Sequence, residues 1–215
     1  AIPDAVGNAL QSKHHLGIHS EMFTDSMMTL IECGAVDDSC KPIHTGKTVA
    51  SFALGSQRMY DYIDDNPMVE MLPVNYVNDP AVIAQHPNFI SINAALEVDF
   101  FGQVCAESIG TRHVSGTGGQ SDYVRGAVQS KGGKGFIAFA STAKDDTVSR
   151  IMPTLTPGAQ ISTSKNDVDC IVTEYGIAKL RGRTLSQRTK ALIAIAHPKF
   201  RDMLTYEAKK ENILI

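Results

Sequence analysis

Short apolar runs alternate with segments of helical periodicity along this chain, and this alternation constrains its fold more than any other feature. The runs are rich in Val, Ile and Phe and are bounded by Gly, Pro, Asn or Asp, which is typical of strands. They cover residues 48–54, 69–74, 89–95, 97–104, 135–140 and 168–173. Helical spacing is found in residues 4–16, between Thr24 and Gly34, in residues 57–63, 122–131 and 185–196, and from residue 199. The pattern predicts an α/β fold with a mostly parallel open sheet flanked by helices. The runs around Asn93 and Gly102 can instead form a hairpin.

The composition excludes several classes of protein. The chain has 215 residues, with 20 Lys and Arg against 23 Asp and Glu, so it lacks the basic excess of a dedicated nucleic-acid-binding protein. No apolar run approaches the ~18 residues of a membrane-spanning helix, and no signal peptide is visible. The four cysteines lack Cys-x-x-Cys spacing, so neither a disulfide framework nor a zinc site is expected. We expect a cytoplasmic protein that has reduced thiols and no bound metal.

Three glycines fall within four residues at Gly116, Gly118 and Gly119, just before a helical pattern. Glycines permit a close approach of backbone N–H groups to a ligand, and a helix N-terminus favours negative charge. The loop can therefore bind phosphate or stabilise an oxyanion. A tight loop capped by Ser121 or Asp122 is an equally good interpretation. The spacing matches neither the dinucleotide-binding fingerprint nor the P-loop, which disfavours both functions.

Glu21 ends a short extended piece, beginning at Gly17, that comes just before a helical pattern. A glutamate at such a junction can project into a cleft and act as a nucleophile or general base. Taken alone, a glutamate at this position is more often a first-turn residue that is favoured by the helix dipole. The local pattern leaves both interpretations open.

These motifs and several others resemble the C-terminal half of the acetyl-CoA hydrolase/transferase family, which belongs to the class I CoA-transferases. Within the family, the 4-hydroxybutyrate CoA-transferases are the most similar. The matching segments follow the family order over nearly the whole chain: residues 1–6, 16–22, 91–99, 116–127, 169–176 and 197–201. The resemblance implies a fold of the NagB/RpiA/CoA-transferase type.

The resemblance also implies how the protein is organised. In the family, the Ala1–Val6 segment follows a Gln-x-Gly-Ile-Gly stretch that is missing from this sequence. Residues 1–215 are then a single C-terminal catalytic domain of a two-domain CoA-transferase, and Ala1 is not the native start. Family members place the acyl-CoA site between their two halves and tend to be dimeric. The expected partners are the N-terminal domain of the same enzyme and a second subunit.

The resemblance implies a role for each candidate site residue. Glu21 matches the catalytic glutamate, which attacks an acyl-CoA thioester and then carries CoA as a glutamyl thioester. Backbone N–H groups at Gly118 and Gly119 are expected to stabilise the oxyanion, with Asn93 as a further donor. Gly116 and Gln120 are expected to line the same CoA-binding wall.

Coenzyme A is then a substrate, and no permanently bound cofactor is expected. The expected reaction moves CoA from an acyl-CoA to a short-chain carboxylate such as 4-hydroxybutyrate, acetate or butyrate. Two alternatives stay open: an acyl-CoA hydrolase on the same fold, and a noncatalytic CoA-binding domain. The sequence does not identify the physiological acid.

Overall fold

The computed structural model describes residues 2–215, so Ala1 lies outside the described residues. The described chain forms two compact units. The first extends to Phe89 and takes in Gln129–Gly133, and the second consists of Ile90–Val128 and Lys134–Ile215. The single domain 1–215 that the resemblance implies stays a prediction. Within residues 2–215, no helix is both long and apolar enough to cross a membrane.

The first unit is built from short helices and short strands. Its helices are α1 (Ile2–Ala9), α2 (Asp25–Glu32), α3 (Gln57–Ile63), α4 (Val74–Val77) and α5 (Pro80–Ile83). Its strands are β1 (Met22–Phe23), β2 (Thr48–Ala50), β3 (Phe52–Ala53) and β4 (Val69–Met71). β1 pairs with β3 and β2 pairs with β4, and both pairs are parallel. Side chains from β1, α2, β2 and α3 meet in a core that contains Phe23, Met28, Ala50 and Met59.

Local sequence signals explain where two of these helices begin. The Ser56 hydroxyl accepts a hydrogen bond from the Met59 amide at the start of α3, and the Asp79 carboxylate accepts one from the Ala81 amide at the start of α5. Thr24 is the N-cap residue of α2, but its side chain forms no capping hydrogen bond. The helix predicted over residues 4–16 is too long, because α1 ends at Ala9. Leu16 instead forms a parallel bridge with Val36, so tertiary pairing overrides the helical periodicity there.

The second unit contains a four-stranded sheet and three longer helices. Its strands are β5 (Ile90–Ala94), β6 (Glu97–Asp99), β7 (Val104–Cys105), β8 (Ser108–Ile109), β9 (Arg112–His113), β10 (Lys134–Ala138), β11 (Thr142–Ala143), β12 (Val148–Ser149), β13 (Ile151–Met152), β14 (Cys170–Thr173) and β15 (Gly176–Lys179). Its helices are α6 (Gln120–Gln129), α7 (Leu185–Ala194) and α8 (Pro198–Lys210). The four-stranded sheet has the order β15-β14-β10-β5, in which only β15 is antiparallel to its neighbour. The prediction of a mostly parallel sheet with helices is confirmed.

The hairpin alternative, in which the runs around Asn93 and Gly102 pair with each other, is wrong. Asn93 lies on β5, which pairs in parallel with β10 rather than with the run 97–104. The run 97–104 is not one strand, because it divides into the antiparallel strands β6 and β7. Gly102 lies in the turn between them at φ 84°, a left-handed conformation that glycine adopts without strain.

α6 forms the crossover between the parallel strands β5 and β10. Only residues 130–133 separate the end of α6 from the start of β10, so the helix C-terminus lies near the amino end of that strand. With ten residues, α6 extends about 15 Å, close to the length of the five-residue strand. The N-terminus of α6 therefore lies at the carboxyl end of the sheet, where α/β proteins generally bind ligands.

Candidate functional site

Glu21 lies at a bend directly before β1 in the first unit, and the backbone on both sides of it is fixed. The Glu21 carbonyl accepts hydrogen bonds from the amides of Ser51 (2.9 Å) and Phe52 (3.2 Å), and the Ser20 amide donates to the Val49 carbonyl (3.0 Å). Glu21 is half-buried. α2 begins only at Asp25, so the interpretation of Glu21 as a first-turn residue is wrong. Glu21 thus stands at a bend whose backbone is held in place by hydrogen bonds to residues 49–52.

A buried ion pair holds the same segment three residues earlier. The carboxylate of Asp38 accepts the Ile18 amide at 2.7 Å, and the Lys41 ammonium donates to the Ile18 carbonyl at 2.8 Å. Lys41 Nζ and Asp38 Oδ1 are 3.6 Å apart, and both side chains are only 6% exposed. Burial lowers the pKa of Lys41, while Asp38 opposes that shift. A Cβ at Gly17 would lie 2.7 Å from Cγ of Lys41, so only glycine fits beside the lysine.

Two buried histidines lie next to each other in the first unit. The His19 ring donates a hydrogen bond through Nε2 to the Val77 carbonyl at 2.8 Å. The centroid of the His86 ring lies 5.0 Å from that of His19, and Phe89 packs near both rings. Burial lowers the pKa of each histidine to about 4. Both imidazoles are therefore neutral at pH 7. The His19 proton lies on Nε2, where it forms the hydrogen bond to the Val77 carbonyl.

We expect His86→Phe to weaken the dependence of folding stability on pH. An unfolded histidine has a pKa near 6.5, so between pH 6.5 and 4 the unfolded chain binds protons that the folded chain excludes. The free energy of unfolding is therefore highest above pH 6.5 and falls as the pH drops toward 4. Phe fills similar space and does not titrate. The free energy of unfolding should be measured in urea at several pH values across this range. In the variant, it should change with pH by about 1.4 kcal/mol per pH unit less than in the parent protein.

The neighbours that shift the pKa of His86 are His19, Lys41 and His44, and the variant keeps all three. His113 is exposed, so His113→Phe is the matched control and should leave the slope unchanged. A slope for His86→Phe equal to that of the parent protein would contradict the assignment of His86 as a buried neutral base.

His15 and His19 have the His-x-x-x-His spacing that binds zinc on a helix, but they do not lie on one. His15 is 69% exposed and its ring contacts the Asp37 carboxylate at 2.8 Å, whereas His19 is buried. Across residues 2–215, no group of three or more His, Cys, Asp or Glu side chains is arranged to hold a metal ion.

The glycine loop, residues 116–119, lies directly before α6 in the second unit. Gly118 has φ 58°, so a side chain at this position would be strained. A Cβ at Gly116 would meet no atom of the described chain within 4 Å, which leaves open space beside that residue. The Gly119 carbonyl accepts the Tyr123 amide at 3.0 Å, so the loop continues directly into the helix. Its last residues therefore lie where the N–H groups of the helix N-terminus point outward.

The alternative in which Ser121 or Asp122 caps this helix is wrong in position, because α6 already begins at Gln120. The Ser121 hydroxyl instead donates to the Ser162 carbonyl at 2.5 Å. The Gln120 side-chain amide donates to the Thr163 hydroxyl at 3.1 Å. The start of α6 is therefore bound to the Ser162–Thr163 segment.

A buried glutamate that the sequence analysis missed lies beneath the glycine loop. Glu107 is 8% exposed, and its two carboxylate oxygens accept hydrogen bonds from the hydroxyls of Thr117 (3.1 Å) and Ser162 (2.6 Å). Its backbone carbonyl accepts the amides of Val114 and Ser115, which lead into the loop. No spacing pattern links Glu107 to these partners, so only the fold reveals it.

Asn93 lies near the carboxyl end of β5. Its side-chain amide donates to the Ser91 hydroxyl at 2.7 Å, and both side chains point to the same face of the sheet. Gly135 is in register with Ser91, and a Cβ at Gly135 would lie 3.3 Å from Val124 of α6. Asn93 and α6 therefore share one face of the sheet.

Five of the six candidate residues lie in the second unit: Asn93, Gly116, Gly118, Gly119 and Gln120. Glu21 lies in the first unit. That all six residues form one catalytic site stays a proposal.

Residues 55–208 match the C-terminal domain of the acetyl-CoA hydrolase/transferase family. The chain belongs to this family. Two curated family relatives align with 98% of the chain. The succinyl-CoA:cyclohexane-1-carboxylate CoA transferase of Geobacter metallireducens is 57% identical over 211 residues, and the alignment covers 48% of its length. The 4-hydroxybutyrate coenzyme A transferase of Clostridium kluyveri is 53% identical over 210 residues, covering 49% of its length.

The crystal structure of RipA from Yersinia pestis has a TM-score of 0.94 and 42% identity, and the match covers 99% of this chain and 48% of that chain. The crystal structure of a 4-hydroxybutyrate CoA-transferase from Porphyromonas gingivalis has a TM-score of 0.84 and 46% identity, and the match covers 98% of this chain and 49% of that chain. The chain therefore has the CoA-transferase fold that the resemblance implied. It spans about half the length of the curated relatives it matches. Glu21 precedes the segment matched by the C-terminal family domain, but the relatives cover almost the whole chain.

Proposed function

We propose that this chain is the C-terminal catalytic half of a CoA-transferase, which moves coenzyme A from an acyl-CoA to a short-chain carboxylate. The observation that carries the proposal is that 98% of the chain aligns with two named CoA transferases. One of these is named for 4-hydroxybutyrate. We therefore take 4-hydroxybutyrate as the first acceptor to test, followed by acetate and butyrate.

In the proposed reaction, the Glu21 carboxylate attacks the thioester carbonyl of the donor. An acyl-glutamyl anhydride forms and CoA leaves as a thiolate. The thiolate attacks the glutamyl carbonyl, which gives a glutamyl-CoA thioester and releases the donor carboxylate. An acceptor carboxylate repeats these steps in reverse and leaves as the new acyl-CoA. Two steps replace one difficult step, and the kinetics are ping-pong.

A carboxylate is a weak nucleophile, so the protein has to orient Glu21 and limit its hydration. The hydrogen bonds that fix the backbone of residues 18–21 support the orienting part of this requirement. CoA is a substrate here, and the proposed steps need no resident cofactor.

We assign the glycine loop to the oxyanion that each attack creates. Gly118 and Gly119 supply backbone N–H groups at the start of α6, and each oxyanion donor is worth roughly 3 kcal/mol in comparable sites. Asn93 supplies a further donor from the same face of the sheet. The open space beside Gly116 admits the pantetheine chain, and Gln120 lines the same wall.

The proposed partners are an N-terminal domain of similar size and a second subunit. The match to only about half of each relative supports the first of these. In the described chain, Cys33, Cys40, Cys105 and Cys170 are free thiols, which supports a cytoplasmic location.

An acyl-CoA hydrolase is the second candidate, because the family description names both activities. The full-length enzyme should be given butyryl-CoA with 4-hydroxybutyrate, acetate or no acceptor, and new CoA esters and free thiol should be measured by mass and by thiol titration. We expect a new CoA ester with at least one acid, and thiol release at least tenfold slower than transfer. Thiol release that is equally fast without an acceptor would establish hydrolysis instead.

A further inference from the structure

The glycine loop has one side chain by which the protein can hold it. Thr117 is flanked by Gly116 on one side and Gly118 and Gly119 on the other, and glycines have no side chain to anchor. The Thr117 hydroxyl donates to Glu107 Oε1 at 3.1 Å. Without this bond, the loop would rely on its backbone alone, and glycine-rich backbone is the most flexible kind.

Glu107 is itself fixed by the surrounding structure. Its other carboxylate oxygen accepts the Ser162 hydroxyl at 2.6 Å, and that hydroxyl oxygen accepts the Ala106 amide at 2.9 Å. The Ser162 amide donates to the carbonyl of Val104, a residue with no exposed surface. The loop is thus connected through Glu107 to a rigid part of the core.

The Glu107 side chain is held by hydrogen bonds rather than by an opposite charge. The carboxylate is buried, and in the described part of the chain it forms no ion pair with a lysine, arginine or histidine. Its hydrogen bonds from Thr117 and Ser162 therefore fix its position. A buried polar group that loses a hydrogen-bond partner is unfavourable, so the structure disfavours breaking the bond to Thr117.

We propose that Glu107 is a positioning residue, which holds the glycine loop through Thr117 so that the amides of Gly118 and Gly119 stay aimed at the oxyanion. This inference rests on the proposed function of the loop. Errors of about 1 Å in the placement of a catalytic group cost up to a hundredfold in rate. Loss of the Thr117–Glu107 bond should therefore reduce kcat more than substrate binding.

The test uses four variants of the full-length enzyme. Thr117→Val and Glu107→Gln weaken the anchor without changing side-chain size, and Thr117→Ser keeps the hydroxyl. Glu97→Gln is the matched control, because Glu97 is also 8% exposed and its carboxylate accepts the amide and hydroxyl of Thr156 rather than the loop. We expect Thr117→Val and Glu107→Gln to lower kcat about tenfold with KM for acyl-CoA within threefold. Thr117→Ser and Glu97→Gln should keep kcat within threefold.

Hydrogen exchange on the millisecond scale separates this inference from the proposed function. The amides between Val114 and Tyr123 should exchange at least threefold faster in Thr117→Val and Glu107→Gln, but not in Glu97→Gln. If the parent enzyme transfers no CoA, the proposed function fails, and the exchange data still decide whether Glu107 holds the loop. Exchange in both anchor variants equal to the parent would overturn the inference, as would an equal loss of kcat in Glu97→Gln.

Discussion

Glu21→Gln should lower CoA transfer by at least a thousandfold while the folded protein stays almost equally stable. Gln has nearly the same shape as Glu, but its amide cannot form the anhydride or the CoA thioester. The backbone of residue 21 is held through its carbonyl, which the substitution leaves in place. The free energy of unfolding, measured in urea, should therefore change by less than about 1 kcal/mol. Initial rates of CoA-ester formation measure the loss of activity.

Glu32→Gln is the matched control for this experiment. Glu32 lies at the end of α2 in the same unit, and its carboxylate pairs with Arg58 on an exposed surface. Its substitution should leave transfer within twofold of the parent, since exposed ion pairs contribute about 1 kcal/mol or less. If Glu21→Gln and Glu21→Ala keep the parent activity, the chain is a noncatalytic CoA-binding domain or another residue is the nucleophile.

Lys41→Met should have the largest effect on folding, with the free energy of unfolding falling by about 3–5 kcal/mol. The substitution leaves the Asp38 carboxylate buried without its cation, and it removes the donor to the carbonyls of Ile18 and Lys47. Met fills similar space, so the loss reports on charge rather than on packing. Because Ile18 lies three residues before Glu21, kcat should fall as well. Urea unfolding and initial rates measure the two effects.

Removing both charges should recover part of the lost stability. In the double variant Asp38→Asn with Lys41→Met, no isolated charge stays buried, so the two substitutions should not be additive. Lys13→Met is the control, because Lys13 is exposed and its substitution should change stability by less than about 0.5 kcal/mol. A Lys41→Met variant as stable as Lys13→Met would refute a structural role for the ion pair.

Sequence patterns predict those elements whose signals are local. The helix predicted over 57–63 matches α3 because the Ser56 cap and the apolar spacing lie within the same few residues. The prediction for residues 4–16 failed because Leu16 pairs with Val36, which lies 20 residues away along the chain. The run 97–104 divides into two strands because the chain turns between Asp99 and Gly102, where the Gly102 amide donates to the Asp99 carbonyl, and apolar spacing continues across this turn.

The candidate site likewise combines residues with local sequence signals and residues whose contacts are distant along the chain. Glu21 and the glycine loop stand in short distinctive motifs, so the sequence points to both. Their supports are distant in sequence: Glu107 contacts Ser162 across 55 positions, and Lys41 contacts Ile18 across 23. Neither contact follows from a periodicity, because each depends on how separate segments of the chain are brought together. The residues that hold the candidate groups are therefore visible only in the fold.

The proposed mechanism requires a glutamyl-CoA thioester at residue 21. The full-length enzyme should be incubated with an acyl-CoA alone, and its intact mass should increase by the mass of one CoA minus one water, because the donor carboxylate leaves with one oxygen of the glutamate. Borohydride should then cleave the thioester, release CoA as the thiol and reduce the glutamate side chain to an alcohol. Peptide mass spectrometry should place that alcohol at Glu21. A reduced side chain at any other residue, or an enzyme that turns over without forming an adduct, would contradict the proposed mechanism.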